Sequence, residues 1–384
     1  MKILILTDGI YPFVIGGMQK HSYYLAKNLA EQGHQITLVH CVSSAKKIPS
    51  REDLKTEFGQ EAMKNLKVIG MKFPAPSWYP GHYLKESYLF SKSIFNALQK
   101  QLTDFDFIYA KGFTAWYFLE KKKTGMKMPP VGIKFHGYEM FQAPANFKSR
   151  LQNYLLKGPT LWNNRHADFI FSYGGKITEI IQSIGVKNEK IIEIPTGIEE
   201  SWCLNQPAAL ADKTIRFAFV GRFERRKGVE ELTASLKTLL PEFDFLFEFI
   251  GPIPPSAKIA SEKITYHGSK SEKNDIQTIL DKCQILVVPS HSEGMPNVIM
   301  EGMARGLAIV ATDVGAVRSV VNEENGWFTT PGDTRDLTRL LMKIMQTDSA
   351  EIRLKQKSSC IRIQSFHWSK IAQITADKIS DCLY

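Results

Sequence analysis

The stretch TIRFAFVGRFERRKGVEELTASLKTLL, residues 214–240, decides the architecture. Its opening residues form an apolar run that reads as a strand ending at Val220. Gly221 and Arg222 begin a charged loop, and from Lys227 and Gly228 onward the apolar residues recur at helical spacing. A strand, a loop and a helix in that order form the repeating unit of a parallel sheet with helices on its faces. The same order already stands at the N-terminus, where KILILT (2–7), a helix over about 19–32 and QITLVH (35–40) follow one another. The runs DFIYA (106–110), VGIKFH (131–136) and DFIFSY (168–173) continue that first series. The stretch at 214 therefore restarts the theme. FLFEFIG, ITYHG, IQTILDKCQ, ILVVPS, a helix beginning at Pro296 and LAIVAT carry it on. Two series imply two Rossmann-like α/β domains, with the seam within 194–213, where Pro, Gly and polar residues break the periodicity. The expected domains are 1–195 and 196–365, followed by a terminal helical segment over about 366–384.

Composition agrees with this organisation. A chain of 384 residues suits two domains of about 150–200 residues each. With 43% hydrophobic and 23% charged residues it is globular rather than disordered. No run approaches the roughly 18 apolar residues of a membrane span. MKILILTDGI reads as a core strand, not a signal peptide, because Asp8 interrupts its apolar run. The five cysteines (41, 203, 283, 360 and 382) are dispersed without metal-ligand spacing, which reads as reduced thiols and a cytoplasmic location. Charge is lopsided. Residues 1–197 hold 26 Lys+Arg against 15 Asp+Glu, a net of +11, while residues 198–384 hold 23 against 24. A basic half suits an anionic surface or a phosphorylated substrate, and equally a merely solvated face.

Parallel sheets bind ligands at the carboxyl ends of their strands, so the loops there are the places to look. IYPFVIGGMQKH (10–21) places Gly16 and Gly17 before a helix, where backbone can approach a ligand closely and free N–H groups face an anion. It lacks the dinucleotide fingerprint and also fits a plain flexible turn. The loop at 221–228 offers Arg222 as a planar donor fork and Lys227 as a compact charge, together able to hold a diphosphate. Crowded by Glu224, Arg225 and Arg226, it fits a solvated basic loop as well. In VGIKFHGYEM, His136 ends a strand beside Gly137 and can donate to a substrate hydroxyl, or can be structural. HSEGMPNVIMEGMARG (291–306) carries Glu293 in a loop and Glu301 on a helix. Eight helical residues span about 12 Å, against about 5–9.5 Å for the paired carboxylates of a glycosidase; Glu293, lying in the loop, could fold back, but a symmetric acid pair is not favoured. The plain alternative for Glu301 is a pair with Arg305 four residues on. Asp104-Phe105-Asp106 resembles the D-x-D metal motif of some sugar transferases, but it leads straight into a strand. Divalent sites need several convergent oxygens, so no metal is expected there.

Taken in order, these motifs resemble family 4 of the retaining glycosyltransferases, which have the GT-B fold. The second half supplies GR at 221–222, KG at 227–228, HG at 267–268, PS at 289–290 and EG at 293–294. Glu301, Gly306, VAT at 310–312, NG at 325–326, PGD at 331–333 and FHW at 366–368 continue it. GG at 16–17, HG at 136–137 and IPTGI at 194–198 fit in the first half. The resemblance implies two Rossmann-like domains facing across a cleft, with a C-terminal helix crossing back to the N-domain. It implies that Arg222 and Lys227 hold a nucleotide diphosphate, that Glu301 binds the ribose, and that Glu293, with the backbone of Gly294, Met295, Pro296 and Asn297, holds the donor sugar. Gly16 and Gly17 would approach the phosphate or sugar, and His136 the reacting carbon. The fixed cations would replace a metal, so no cofactor is expected. Thr196, Glu199 and Ser319 depart from the family pattern, which leaves donor identity open.

The N-domain is expected to bind the acceptor. MKFPAPSWYPGHYLKESYLFSKSIFNALQK (71–100) and FKSRLQNYLLKGPTLWNNRH (147–166) interleave aromatic and basic residues, which suits an anionic membrane and a lipid-linked acceptor, or an ordinary packed helix. Nucleic acid is not expected, since no binding module accompanies the charge. The rival readings are a nucleotide-sugar 2-epimerase of the same architecture and a degenerate transferase acting as a scaffold.

Overall fold

The computed structural model describes the chain except residues 44, 46, 76, 77, 80, 143, 145, 146, 209–213, 271 and 384. The end of the predicted seam, 209–213, and the side chain of Lys148 lie outside the described residues. The chain forms two compact units. The first comprises Met1–Phe141, Lys148–Gly197 and Trp368–Tyr384; the second comprises Gln142–Phe147 and Ile198–His367.

The first unit holds a seven-stranded sheet of β1 (Lys2–Thr7), β2 (Gln35–Val42), β3 (Leu66–Lys72), β4 (Phe107–Lys111), β5 (Val131–Lys134), β6 (Phe169–Ser172) and β7 (Ile191–Glu193). Their order is β3-β2-β1-β4-β5-β6-β7, and every pairing is parallel. Helices α1 (Gly17–Glu31), α2 (Arg51–Asn65), α3 (His82–Leu98), α4 (Trp116–Lys123), α5 (Phe147–His166) and α6 (Lys176–Ser183) connect them. Residues 3–7 of β1 and all of β4 are buried, as continuous apolar strands covered on both faces must be. Strands β3 and β7 were not among the predicted runs. In LKVIGMK and IIE the apolar residues are too few or too mixed for periodicity to reveal them.

The second unit holds β8 (Arg216–Val220), β9 (Leu246–Ile250), β10 (Ile264–Tyr266), β11 (Ile285–Val288), β12 (Ala308–Thr312) and β13 (Gly326–Thr329). Its order, β10-β9-β8-β11-β12-β13, is again parallel throughout. Helices α7 (Val229–Leu239), α8 (Lys273–Leu280), α9 (Asn297–Ala304), α10 (Thr334–Met345) and α11 (Ser349–Ile363) cover it. Phe217, Phe219, Phe247 and Phe249 of β8 and β9 build one side of its core, against Leu232, Leu236 and Leu341. The PGD motif acquires a physical reading here. Asp333 caps α10, its carboxylate accepting from the N–H groups of Arg335 and Asp336 at 2.9 and 3.0 Å.

Two predicted boundaries move. Pro296 is not the first helical residue but the extended cap before Asn297, because its ψ of 115° lies outside the helix. The terminal segment breaks at His367, where the backbone is extended, into a 3₁₀ turn at Gln364–Phe366 and α12 (Trp368–Asp381). Helix α12 returns to the first unit and packs on α1. The Trp368 ring stacks on Tyr24 at 5.7 Å and meets His21 edge-on at 5.0 Å. Gln32 Nε2 donates to the Ser369 carbonyl at 2.7 Å.

Candidate functional site

In each unit the strand order reverses once, and the loops after the two strands flanking that point collect most of the predicted residues. In the second unit the switch lies between β8 and β11. The loop after β8 carries Arg222 and Lys227; the loop after β11 carries Glu293. They meet there. Lys227 Nζ donates to Glu293 Oε1 at 2.5 Å, and Ser290 Oγ donates to the same oxygen at 2.8 Å. Arg226 approaches the other carboxylate oxygen at 3.7 Å. Arg222, by contrast, has a side chain 69% exposed and pairs with Glu224 at 3.0 Å. One cation is thus docked on a buried carboxylate while the other projects into solvent.

Close backbone packing sets this geometry. Gly228 caps α7 with φ +68°, and a Cβ there would stand 1.9 Å from the Pro289 carbonyl oxygen. Only glycine lets the start of α7 lie against the strand β11 that leads to Glu293. Gly315, after β12, plays the same part on the other side. At φ +57° its added Cβ would stand 2.3 Å from the Glu293 carbonyl oxygen, and Ala316 N–H donates to the Gly294 carbonyl at 2.8 Å. The segment Glu293–Asn297 is therefore clamped from both sides. Met295 is buried, and Asn297 opens α9.

Glu301 lies on the buried face of α9. The plain alternative is a surface pair with Arg305, but Glu301 is buried and so does not lie on the surface. Arg305 grips Asp281 with two bonds, at 2.7 and 2.6 Å, and donates to the Trp202 carbonyl at 2.9 Å.

A further brace was missed in the sequence. Arg225 bonds Glu231 at 2.8 Å and His291 Nε2 at 2.6 Å, and His291 also lies 3.1 Å from Glu231. His291 N–H donates to the Arg226 carbonyl at 2.7 Å. This network ties the cationic loop to the glutamate loop. Desolvation, the largest single influence on Glu231, would raise it, but the Arg225 hydrogen bond, a backbone hydrogen bond and the nearby positive charges together hold the carboxyl below its ordinary value. The adjacency RRK with an acid at 231 was the available signal, yet it reads equally as solvated charge.

In the first unit the switch lies between β1 and β4. The loop after β1 leads through Gly16 to α1, which starts at Gly17. Asp8 accepts from Gln19 Nε2 at 3.1 Å, and the Cys41 thiol donates to the Asp8 carbonyl at 2.6 Å. Burial raises the Asp8 carboxyl to about 6, against the pull of Lys111. Lys111 ends β4 and Lys134 ends β5; both are fully buried. Lys111 Nζ bonds His21 Nδ1 at 2.9 Å. Lys134 Nζ donates to the Ile194 carbonyl at 2.7 Å and lies 3.8 Å from the Tyr173 ring centre. Desolvation holds both lysines well below the ordinary ammonium range and His21 well below its own. The predicted His136 stands at the rim of this cluster, half-buried, with Nδ1 2.9 Å from the Tyr173 hydroxyl. Nothing in a sequence marks a lysine at the end of a strand as buried.

Asp106 accepts from the Lys2 backbone N–H at 2.7 Å and so pins the start of β4 to β1. Among the described residues, no group of three or more His, Cys, Asp or Glu side chains gathers as a metal site. No helix among them is long and apolar enough to cross a membrane. All five cysteines are free thiols.

Comparison with known proteins extends these observations. The description Glycosyltransferase Family 4 matches residues 15–202, and Glycosyl transferases group 1 matches residues 214–347. An N,N'-diacetylbacillosaminyl-diphospho-undecaprenol alpha-1,3-N-acetylgalactosaminyltransferase from Campylobacter jejuni is 24% identical over 312 residues, covering 77% of this chain and 80% of its own. An MMP alpha-(1->4)-mannosyltransferase from Mycolicibacterium hassiacum is 23% identical over 52% of this chain and 50% of its own. Among solved structures, a sucrose-phosphate synthase from Thermosynechococcus elongatus matches with a TM-score of 0.78 at 18% identity, covering 100% of this chain and 99% of that one. HepE from Anabaena, in complex with UDP, matches at 0.68 and 16% identity over 99% and 100%. The two family descriptions lie end to end over the two parallel-sheet units, and the chain belongs to the group 1, or family 4, glycosyltransferases of the GT-B fold.

Proposed function

We propose that the protein is a retaining, metal-independent hexosyltransferase. It would move a sugar from a nucleotide-diphosphate donor, UDP-linked in preference to GDP-mannose, to a glycan or lipid-linked acceptor in cell-surface glycan synthesis. The observation that carries this reading is the Lys227–Glu293 contact at the β8/β11 switch, with Arg222 projecting beside it in the same loop. Arg222 and Lys227 would take the diphosphate, Glu293 and the backbone of 294–297 the sugar, and Glu301 the ribose. Gly16 and Gly17 would bring a backbone amide to the phosphate or sugar, and His136 would approach the reacting carbon.

Charge explains the chemistry. As the bond to the anomeric carbon breaks, negative charge grows on the diphosphate, and fixed cations lower that barrier without reorganising. Lys227 would then exchange part of its contact with Glu293 for the phosphate. The carboxylate so released would be free to accept a sugar hydroxyl. Attack from the face of the departing phosphate needs no carboxylate nucleophile, and the two cations would supply what a metal supplies elsewhere. Two relatives support the substrate classes: HepE is solved with UDP, and the Campylobacter relative carries a diphospho-undecaprenol group in its name.

The deciding experiment is a turnover screen of UDP-, GDP- and ADP-sugars with metal chelated, followed by NMR of the product's anomeric centre. The expected result is turnover of a UDP-sugar with the donor's anomeric configuration kept. An inverted product, or a strict requirement for a divalent cation, would refute it.

A further inference from the structure

Helix α5 changes character at Gly158-Pro159. Beyond this point Thr160, Asn163 and Asn164 are buried, and the Tyr138 hydroxyl donates to Asn164 Oδ1 at 2.8 Å. Before it, the helix is largely uncovered: Leu151 is 56% exposed, Tyr154 75% and Leu155 38%. Pro159 has no N–H to return to the preceding turn, so the two halves are joined by a weakened ladder. Asn153 Nδ2, donating to the Glu139 carbonyl at 3.0 Å, tethers the outer half.

Positions 151, 154 and 155 fall on one helical face, three and four residues apart. Isolated exposed apolar residues are ordinary, but a contiguous stripe of large ones marks a covered surface. Arg150 and Lys157, both exposed, flank it. A stripe of this kind edged by cations is the pattern of a helix lying in a membrane interface. Charge complementarity selects the partner, because residues 1–197 carry +11 and the remainder −1. The other aromatic and basic stretch, 71–100, is divided: Trp78 is 94% exposed and Tyr83 46%, but the apolar face of its helix is turned into the fold. Phe90, Ile94 and Phe95 of α3 are buried, and the Tyr88 hydroxyl donates to Glu120 at 2.6 Å.

We propose that the outer half of α5, residues 150–158, is a docking surface for an anionic lipid bilayer. Leu151, Tyr154 and Leu155 enter the boundary between headgroups and acyl chains, and Arg150 and Lys157 meet the headgroup phosphates. The inference deepens the lipid-linked acceptor reading and rests on it for its purpose.

The test is flotation of the full chain with vesicles of phosphatidylcholine alone or mixed equally with phosphatidylglycerol, at low and high salt. The wild type is expected on the anionic vesicles, with binding weakened by salt. The triple variant Leu151→Glu, Tyr154→Glu, Leu155→Glu should bind at least about tenfold more weakly. The control pair Leu354→Glu, Ile361→Glu on α11 should bind as the wild type does. If the triple variant does not fold, Tyr154→Ser and the charge pair Arg150→Glu, Lys157→Glu carry the same comparison. Absence of the wild type from anionic vesicles overturns the proposal, as does a triple variant that binds unchanged. A wild-type dimer that the triple variant splits while vesicle binding persists overturns it too, assigning the stripe to a second copy. Calorimetric titration with UDP-sugars on the same samples separates the two ideas. Donor binding without vesicle binding refutes the docking surface alone; vesicle binding with no nucleotide sugar bound or turned over refutes the transferase reading.

Discussion

The two switch points place cations at equivalent positions, the carboxyl ends of parallel strands, yet treat them oppositely. At β8/β11 the charges stay within reach of solvent, Arg222 mostly exposed and Lys227 resting on Glu293. At β1/β4 and the adjacent β5 the charges of Lys111 and Lys134 are sealed in, and desolvation drives both towards their neutral forms. The lesson is that strand-end position alone does not make a binding residue. A cation that must meet a diphosphate has to keep its charge, and that requires either water or a carboxylate partner. Desolvation pushes a buried lysine the other way, towards its neutral form, and burial leaves it packed rather than presented to a ligand.

The largest effect should come from Arg222→Ala. It should lower kcat by about 10²–10³-fold, as loss of a transition-state donor does. Thermal stability should hardly change, because its surface pair with Glu224 is worth about 0–1 kcal/mol. Steady-state kinetics with melting curves on one preparation would check both. A variant with full activity would erase the distinction between the two edges.

Next, Glu293 and Glu301 should separate. A hydrogen bond to a charged group is worth about 1.5–3 kcal/mol, or roughly 10–100-fold. Glu293→Ala should take that loss mainly in kcat, while Glu301→Ala should take it mainly as a raised donor KM. Equal losses in both parameters for both variants would contradict the division of the donor into a sugar end and a ribose end.

At the sealed edge, Asp8 provides a pH test. Its folded value, about 6, stands above the ordinary 3.8, so the folded state binds this proton more tightly. The stabilisation is complete below about 3.8 and is lost as pH rises through about 6. Asp8→Asn, which keeps a neutral side chain at every pH, should therefore exceed the wild type in stability at pH 7.5 by on the order of 1–3 kcal/mol. That advantage should vanish on acidifying to about pH 4, as urea titrations at several pH values would reveal. A gap independent of pH would rule out the buried carboxylate as its source.

The smallest effect is expected from Lys134→Met. If the lysine is packing rather than ligand, turnover should change by less than about threefold, since an apolar side chain of similar length fills a buried cation's place. A hundredfold loss, measured with saturating donor, would move Lys134 into the working half of the comparison.

Much of this architecture was legible in the chain itself. KILILT, DFIYA and LAIVAT are strands because a parallel strand covered on both faces needs an unbroken apolar run. The pairing of a GR…KG loop with an EG…E segment was readable because both follow such runs. Strands β3, β7 and β13 were not read as strands, being short or mixed, and they are held by the register of their neighbours rather than by local preference. The cap at Pro296 and the break at His367 fell within the usual one or two residues of any sequence boundary. Arg305 looked like a surface partner for Glu301 because helical spacing is local information; the carboxylate it grips, Asp281, comes from another element.

By itself, the sequence determined the two α/β series, the loops that end their strands, the basic first half and the ordered motifs of a glycosyltransferase. These depend on periodicity, composition and spacing, which need no third dimension. Only the tertiary structure decided which charges keep water and which lose it. Lys227 and Lys134 are the same residue type near the carboxyl ends of similar strands, and no local pattern separates them. The difference is made by what packs around each: Glu293 beside the first, a tyrosine ring and a backbone carbonyl around the second. Desolvation is a property of neighbours, and distant neighbours are brought together only by folding.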